Sequence, residues 1–165
     1  MPQNIQHSDA LLQISKAVQA MKQPLDLEGV LQIFLDQIVK TGMNVDALAV
    51  HRILDPAKRQ VETYRLNKMG KVDSAIRRKS TQITNLWKEK RIYYASNIET
   101  DYEAEWITTM RARLGDRITS IVDIPFSEGV ISAQSTLLNA FSNNDIEVLQ
   151  QIAEILSLGF ARVRD

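Results

Sequence analysis

The segment GVISAQSTLLNAFSNNDIEVLQQIAEILSLGFARV, residues 129–163, carries the clearest structural pattern in the chain. It reads as a strand, a short loop and a helix that continues to the end of the sequence. Ser142 has the residue type of an N-cap, and Asp145 can complete an acidic variant of the capping box. Phe141 and Ile146 stand where a hydrophobic staple forms. The pattern predicts a well-capped helix that begins at Ser142.

One set of apolar residues along this helix recurs at alternating spacings of three and four, as in a heptad seam. Its members are Ile146, Leu149, Ala153, Leu156, Phe160 and Val163. A second apolar stripe lies on a neighbouring face and contains Val148, Ile152, Ile155 and Gly159. Because one stripe is enough to hold a helix on its own domain, two stripes predict a further contact with a partner. We expect a signalling helix that belongs to a longer protein.

Composition restricts the classes of function. The 165 residues include 20 basic and 20 acidic side chains and no cysteine. Balanced charge gives no reason to expect nucleic-acid or membrane binding. A chain without cysteine has no disulfide, no thiolate nucleophile and no thiolate metal site. The polar N-terminus lacks an apolar signal region, and no apolar run approaches the roughly 20 residues of a membrane span. We expect a soluble cytoplasmic domain.

The remaining sequence mixes helix and strand patterns. Helices are predicted at 8–21, 26–41, 75–91 and 103–113, and loops at 70–74 and 97–102. Strands are predicted at 46–54, 60–67, 92–95, 118–126 and 130–137. This order indicates an α+β fold with an antiparallel sheet and the terminal helices on one of its faces. The whole of 1–165 is expected to form one domain: leading helices at 8–41, a sheet with inserted helices at 46–137 and the C-terminal helix at 142–165.

Several segments together resemble a GAF domain, a cytoplasmic sensor module. LLQISKAVQAMKQPLDLEGVLQIFLDQIV resembles its two leading helices, and RIYYASNIETD resembles its third strand and the loop after it. SIVDIPF resembles the fourth strand, and GVISAQST with AFSNNDIEVLQQIAEILSLGFA resembles the fifth strand and the closing helix. The resemblance covers nearly the whole chain. It implies five or six antiparallel strands, a small-molecule pocket beneath central helices, and an output domain downstream in the parent protein.

The chemical subtypes of this family depend on particular residues. Bilin-binding members and free methionine sulfoxide reductases use cysteines, and this chain has none. Cyclic-nucleotide-binding members carry an Asn-Lys pair where this chain has Thr136-Leu137, although Phe141 and Asp145 match part of their pattern. No Ser, His and Asp arrangement suggests a nucleophile, and no set of metal ligands stands at suitable spacing. We therefore expect no enzymatic activity, no cofactor and no metal.

By resemblance, a ligand pocket would lie between the sheet and the central helices. Its candidate residues are His51, Asn97, Tyr102, Trp106, Arg113, Arg117 and Asp123. Arg113 and Arg117 would favour an anionic ligand. Asp123 interrupts an apolar strand, where a carboxylate is costly unless it is paired, so it is either a pocket contact or a paired edge residue. His51 among small strand residues reads more readily as a hydrogen-bonded core residue than as a ligand contact. In the opposing interpretation, Tyr102 and Trp106 fill the space and both arginines face water.

These patterns predict a non-catalytic domain that senses a small molecule or relays a signal, as in a sensor histidine kinase or a transcription regulator. Two alternatives remain, a ligand-free dimerising spacer and a nucleotide-binding regulatory domain of a fused enzyme. The predicted helix at 8–21 carries a second heptad seam, in which Leu11, Ile14, Val18 and Met21 are spaced three, four and three residues apart. A homodimer is expected through this seam and the C-terminal one, with Leu11, Ile14, Val18, Met21, Leu156, Phe160 and Val163 as interface residues. The basic run at Arg77, Arg78 and Lys79 is interpreted as the solvated face of a central helix.

Overall fold

A computed structural model describes the backbone of residues 3–67, 72–114 and 117–163, with side chains at 7–67, 76–112 and 117–163. Two leading helices, α1 (Gln3–Gln19) and α2 (Leu27–Lys40), are joined through a 3-10 turn at Pro24–Asp26. The later elements are β1 (Ala47–Asp55), β2 (Gln60–Asn67), β3 (Val72–Lys79), α3 (Thr81–Glu89), β4 (Tyr93–Ala95), α4 (Ile98–Asp101), α5 (Ala104–Leu114), β5 (Ser120–Phe126), β6 (Gly129–Ser135) and α6 (Asn143–Val163).

The six strands form one sheet in the order β3-β2-β1-β6-β5-β4, and every neighbouring pair is antiparallel. Successive side chains of a strand point to opposite sides of the sheet. One side, here called the helix face, packs against α2 and α6, and α1 lies against those two helices. The other side, here called the cavity face, is covered by α3, α4 and α5. This arrangement confirms the predicted α+β architecture with the terminal helices on one face.

The helix face carries the main hydrophobic core. Apolar residues from α1, α2 and α6 meet alternate residues of the strands in one continuous cluster. Its most deeply buried members include Ile14, Leu27, Leu31, Phe34, Ile38, Leu48, Leu66, Ile131, Leu149 and Ile152. A buried Leu or Ile side chain contributes about 1.5–3 kcal/mol relative to exposure, so this cluster accounts for much of the stability of the fold.

The start of α6 has the predicted cap. The Asp145 backbone N–H donates to Ser142 Oγ at 3.1 Å, and the Ser142 N–H donates to the Asp145 carboxylate at 2.9 Å, which completes the capping box. Further along, α6 approaches α1 closely at Gly159, where an added Cβ would lie 2.2 Å from a methyl group of Val18.

α6 is 21 residues long. Within the described ranges, neither α6 nor any other helix is long and apolar enough to span a membrane.

The domain itself occupies most of the residues assigned to a dimer seam. Ile14, Val18, Leu156 and Phe160 are at most 2% exposed within a single chain, and Leu11 and Val163 pack partly against the same core. Ile14, Val18, Leu156 and Phe160 lie inside the single domain, so a second copy could reach only Leu11 and Val163 of this set, together with other residues. The apolar spacing of both seams is therefore explained mainly by packing within one chain. The dimer stays a prediction, and the seams do not by themselves identify its interface.

The sequence predicted a helix over 75–91, and this is wrong for the first five residues. Residues 75–79 belong to β3, which pairs with β2 through Thr63 opposite Ile76 and Val61 opposite Arg78. Pairing with β2 supplies the backbone bonds that a helix would otherwise make, and such context commonly overrides local propensity. α3 begins only after Ser80, whose hydroxyl accepts the Ile83 N–H at 3.2 Å. The basic residues Arg77, Arg78 and Lys79 therefore lie within strand β3, and their side chains alternate between the two sides of the sheet.

One buried ion network lies on the helix face. Glu62 is 5% exposed and accepts hydrogen bonds from Tyr64 at 2.6 Å, Arg52 at 3.0 Å and Arg77 at 3.1 Å. Burial acts to raise the pKa of Glu62, but the bonds from Tyr64 and Arg77 and the charges of both arginines outweigh it and lower the pKa. The Arg52 guanidinium also lies 5.5 Å from the ring centre of Phe160 in α6. The network joins three strands to the C-terminal helix.

Candidate functional site

A row of paired residues crosses the cavity face and forms the floor of a small cavity. Tyr93 in β4 stands opposite Asp123 in β5, and Asp123 stands opposite Ser132 in β6. The row continues through Ala49 in β1 to Arg65 in β2. Paired residues of neighbouring strands share one side of a sheet, so five strands contribute to this floor. Ala49, the smallest member, leaves room above the centre of the row.

Asp123 is the most unusual residue of the floor. It is 5% exposed, and within the described residues the Ser132 hydroxyl is the only hydrogen-bond donor to its carboxylate. Burial raises the pKa of Asp123 to about 6, and the bond from Ser132 offsets only part of this effect. A buried carboxylate normally has several donors or a charged partner. Asp123 thus retains acceptor capacity inside the fold.

Two further polar groups of the floor differ in how well they are satisfied. Gln134, two residues beyond Ser132 in β6, is 3% exposed, and its side-chain carbonyl oxygen has no hydrogen-bond partner among the described residues. His51 in β1 is 3% exposed and shares a 2.8 Å hydrogen bond with the Thr63 hydroxyl, between Nδ1 and Oγ1. The histidine thus has the bonded core environment that its sequence context predicted. Gln134 presents an unused acceptor at the cavity.

The roof of the cavity comes from α3 and from the segment that contains α4 and α5. Ile83 of α3 and Met110 of α5 contribute apolar walls, and Gln82, Tyr102 and Trp106 contribute polar and aromatic ones. The enclosed volume is about 40 Å³, room for about three water molecules at roughly 10–15 Å³ each. Pockets that hold drug-sized ligands measure about 300–1,000 Å³. The inner cavity by itself therefore admits only a small chemical group.

Three aromatic rings form one end of the site. Tyr93 stacks on Tyr102, with ring centres 5.7 Å apart and planes 8° from parallel, and Tyr102 lies 6.3 Å from Trp106. Burial raises the pKa of both tyrosines, and the charge of Asp123 raises them further. Their hydroxyl groups therefore stay protonated at physiological pH. Of these rings, Tyr102 and Trp106 line the cavity and give it an electron-rich wall.

An open groove adjoins the cavity. It has a volume of about 480 Å³ and shares Arg78, Ser80, Gln82 and Trp106 with the inner space. Lys79, Thr81 and Glu103 complete its lining. Its volume falls within the range of small-molecule pockets. Groove and inner cavity together form a continuous candidate site with a basic mouth.

The structure brings four of the seven predicted site residues to this cavity: His51, Tyr102, Trp106 and Asp123. Asn97 does not line it, because its side chain caps α4 by accepting the Glu99 N–H at 3.0 Å, in a segment that was predicted to be a loop. Arg117 is exposed in a turn outside the cavity lining. Arg113 belongs to α5, and its side chain lies outside the described residues. The predicted anion contacts therefore do not come from Arg117.

Sequence reasoning missed several lining residues, which are Arg65, Arg78, Ser80, Gln82, Ser132 and Gln134. Arg78 and Ser80 were missed because their segment was predicted to be helical. Ser132 and Gln134 alternate with Ile131 and Ala133 in a strand that is buried on both sides, which the sequence does indicate. Polar residues at alternate positions of a fully buried strand would have been the signal for this floor.

The described residues of the site can be compared with two common catalytic arrangements, a metal centre and an activated nucleophile. Among them, no group of three or more His, Asp and Glu side chains could hold a metal ion, and the sequence contains no cysteine. Ser132 donates its proton to a carboxylate rather than to a histidine, so it lacks the base that activates a serine nucleophile. The arrangement can donate and accept hydrogen bonds and can hold charge.

No family model and no curated protein matches the sequence. Solved structures do match the fold over almost the whole chain. The GAF domain of Acinetobacter phosphoenolpyruvate-protein phosphotransferase has a TM-score of 0.71 at 18% identity, covering 99% of this chain and 96% of that one. The phycoerythrobilin-bound GAF domain of a cyanobacterial phytochrome has a TM-score of 0.70 at 14% identity, covering 98% and 97%.

An enzyme is also among the similar structures. The free methionine-R-sulfoxide reductase of Neisseria meningitidis, solved in complex with its substrate, has a TM-score of 0.67 at 14% identity and covers 96% of this chain and 90% of that one. The same architecture thus occurs in a domain of a phosphotransferase, in a bilin-bound domain of a phytochrome and in a reductase, so the fold does not decide the function. Six antiparallel strands, the helix layer and the roofed cavity together show that this chain has the fold of GAF domains, as its sequence resemblance predicted.

Proposed function

We propose that this chain is a non-catalytic, small-molecule-sensing domain of a cytoplasmic signalling protein. The observation that carries the proposal is the roofed cavity, whose floor holds the under-bonded Asp123 and Gln134. Buried polar groups normally find partners, and a ligand that completes their hydrogen bonds would gain affinity in return. The absence of cysteine supports a non-catalytic role, since thiol-based reduction requires one.

The roof provides a physical basis for ligand entry. α4 and α5 rest on a small cluster formed by Ala95, Ile98, Met110, Ile118 and Ile121, separate from the main core. Regions with few buried apolar contacts open at a lower free-energy cost than the core does. A ligand larger than about 40 Å³ would therefore enter as this segment moves outward. The bound ligand would then shift the population between open and closed roofs.

The strands under the cavity also contact the C-terminal helix. β5 and β6 present Asp123 and Ser132 to the cavity and Val122, Ile124 and Ile131 to the main core, in which α6 also packs. A change in strand position on one face therefore reaches the packing of α6 on the other. We propose that α6 passes this change to an output domain of the parent protein, for example a histidine kinase or a transcription regulator.

A thermal-shift screen tests the sensing function. The wild type, Trp106→Ala and Trp87→Ala are exposed to panels of nucleotides, amino acids, organic acids and aromatic compounds. Trp106 lines the cavity, whereas Trp87 is absent from its lining and donates to the Ser127 carbonyl at 3.1 Å. We expect a saturable shift with at least one compound class, lost in Trp106→Ala and retained in Trp87→Ala. A wild type that responds to no class would contradict the proposal.

The alternative functions make different predictions in the same screen. A nucleotide-binding domain of a fused enzyme would respond to nucleotides alone. A ligand-free spacer would respond to nothing and would dimerise. The spacer alternative is favoured by two exposed leucines on adjoining helices, Leu12 at 51% and Leu158 at 76%, and a second copy of the chain is the partner that it requires. Light scattering of the wild type and Leu158→Lys decides it, since a monomeric wild type at tens of micromolar excludes a dimer of useful strength.

A further inference from the structure

Two acceptors on neighbouring strands define the chemistry of the inner cavity. Asp123 pairs with Ser132, and Gln134 lies two residues further along the same strand and on the same side. Diagonal neighbours of this kind have Cβ atoms roughly 7–8 Å apart or less. Asp123 keeps acceptor capacity beyond its bond from Ser132, and the side-chain oxygen of Gln134 has no partner in the described part of the chain. A ligand group that satisfies both must donate several hydrogen bonds.

The electrostatic surroundings favour a positive donor. Asp123 is nine-tenths buried or more, and within the described residues no cationic side chain forms an ion pair with it. Tyr102 and Trp106 line the same cavity, and the faces of such rings attract a cation within about 6 Å. An ammonium group carries one positive charge and three donors in the space of about one water molecule. It fits a cavity of about 40 Å³.

The mouth of the site carries positive charge, in contrast to the negative charge of Asp123 inside. Arg78 lines both the inner cavity and the outer groove, and Lys79 and Glu103 line the groove with it, so two cationic side chains face one carboxylate and the mouth keeps a net positive charge. On the cavity floor Arg65 stands three strands away from Asp123, which is about 14 Å between backbones at roughly 4.8 Å per strand. Arginine side chains extend over part of that distance. The site thus offers negative charge inside and positive charge toward the groove.

We propose that this site binds a small zwitterion, with its ammonium group against Asp123 and Gln134 and its anionic group toward Arg78 at the mouth. The inference rests on the proposed sensing function and assigns its ligand class. Neutral aromatic compounds would leave Asp123 without a counter-charge, and simple anions would meet the Asp123 carboxylate at the inner end. Free amino acids and short amino acids with a longer spacer belong to the favoured class.

Related ligands that carry both charges or only one of them test the inference. The wild type is titrated by calorimetry with 4-aminobutyrate, butyrate and n-butylamine, and then with glycine, β-alanine and L-leucine to sample the spacing of the charges. We expect at least one zwitterion to bind with saturation, about tenfold or more tighter than either singly charged analogue, since charged hydrogen bonds contribute about 1.5–3 kcal/mol each. The comparison uses the unaltered protein, so it holds even if a variant fails to fold.

Two variants separate the two ends of the ligand. Asp123→Asn keeps the size of the side chain and should weaken zwitterions and amines tenfold or more while sparing butyrate. Arg78→Gln should weaken zwitterions and butyrate while sparing n-butylamine. Glu154→Gln, which removes a carboxylate from the exposed side of α6, should change nothing.

The outcomes distinguish the ligand class from the sensing function. Butyrate that binds as tightly as the best zwitterion, or zwitterion binding that survives Asp123→Asn, would overturn the ligand class. Saturable binding of nucleotides or neutral aromatics without any zwitterion would overturn the ligand class and leave sensing intact. If no compound of any class binds, both proposals fail.

Discussion

Two carboxylates, Glu62 and Asp123, are equally buried at 5% exposure on opposite faces of the same sheet, and their pKa values shift in opposite directions. Glu62 has three donors, two of them cationic. Asp123 has one neutral donor within the described residues. Burial favours the protonated form of both, but only Glu62 has enough partners to reverse that effect. A buried carboxylate can therefore either stabilise a fold or strain it, depending on the depth of its burial and on the partners that the fold supplies.

The difference separates the structural half of this molecule from the candidate functional half. On the helix face the carboxylate of Glu62 is fully engaged by three donors beside a continuous core, although Arg52 Nε has no partner among the described residues. On the cavity face the polar groups are incomplete, and the apolar clusters that hold the roof are small. Binding sites commonly retain such unfavourable groups at a cost in stability. The following predictions test this contrast.

Glu62→Leu should cause the largest change. The leucine leaves Arg52, Arg77 and the Tyr64 hydroxyl without their shared acceptor. Removal of one partner of a fully buried ion pair costs about 3–5 kcal/mol, and because the Arg77 side chain is 73% exposed we expect the lower end of this range, about 3 kcal/mol. Denaturant unfolding at pH 7.5 measures the loss, and Glu62→Gln, which keeps one acceptor oxygen, should lose less.

The contribution of Glu62 should also depend on pH. Because the pKa of Glu62 is lowered in the folded state, its stabilisation is present above the ordinary value of 4.5 and disappears as the pH falls through the folded value. A loss below about 1 kcal/mol at neutral pH would show that the network is only a surface ion pair.

Asp123→Asn should raise the stability of the protein, whereas Glu62→Leu should lower it. A carboxyl pKa raised from 3.8 to about 6 means that the folded state binds the proton more tightly than the unfolded state. The resulting penalty is absent below 3.8, grows between the two values and is complete above about 6. It amounts to about 3 kcal/mol at neutral pH, so the variant should be more stable by about 1–3 kcal/mol at pH 7.5.

The pH dependence identifies the cause of that gain. The advantage of Asp123→Asn over the wild type should shrink to near zero at pH 4, where the native carboxyl is protonated. His51, Arg65, Arg78, Tyr93 and Tyr102 also line or face this space and are present in both proteins, so their contributions cancel in the difference. A variant that is less stable than the wild type at neutral pH would mean that Asp123 is well satisfied.

Ser142→Ala should have the smallest effect. The reciprocal bonds of Ser142 and Asp145 form a capping box at the start of α6, but this cap is exposed, and loss of an N-cap costs about 1 kcal/mol. Asn144→Ala is the matched control, since Asn144 is exposed in the same turn. The denaturation midpoint should fall only in the first variant, with no change in oligomeric state. Equal midpoints would place the stabilising contact elsewhere.

The sequence predicted the helix face better than the cavity face, for a physical reason. Apolar periodicity and caps determine elements such as α2 and α6, and their signals are local. The sequence did not predict β3 because this strand forms by pairing with β2. Such a contact leaves no pattern within the segment itself, whose local residues favour a helix. Asp123 was recognised as costly in a core strand, but its shortage of donors appears only in three dimensions. Gln134 and Arg78 could not be placed without the register of the strands that carry them.

The pKa values of the two carboxyl groups test the central claim most directly. Carbon-detected NMR of the side-chain carboxyl groups, followed as a function of pH in the ligand-free protein, reports both groups in one sample. The account predicts a midpoint near 6 for Asp123 and a midpoint below the ordinary value of 4.5 for Glu62. An Asp123 midpoint at or below its ordinary value of 3.8 would show that the cavity face already satisfies its carboxylate, and the contrast between the two faces would then be wrong.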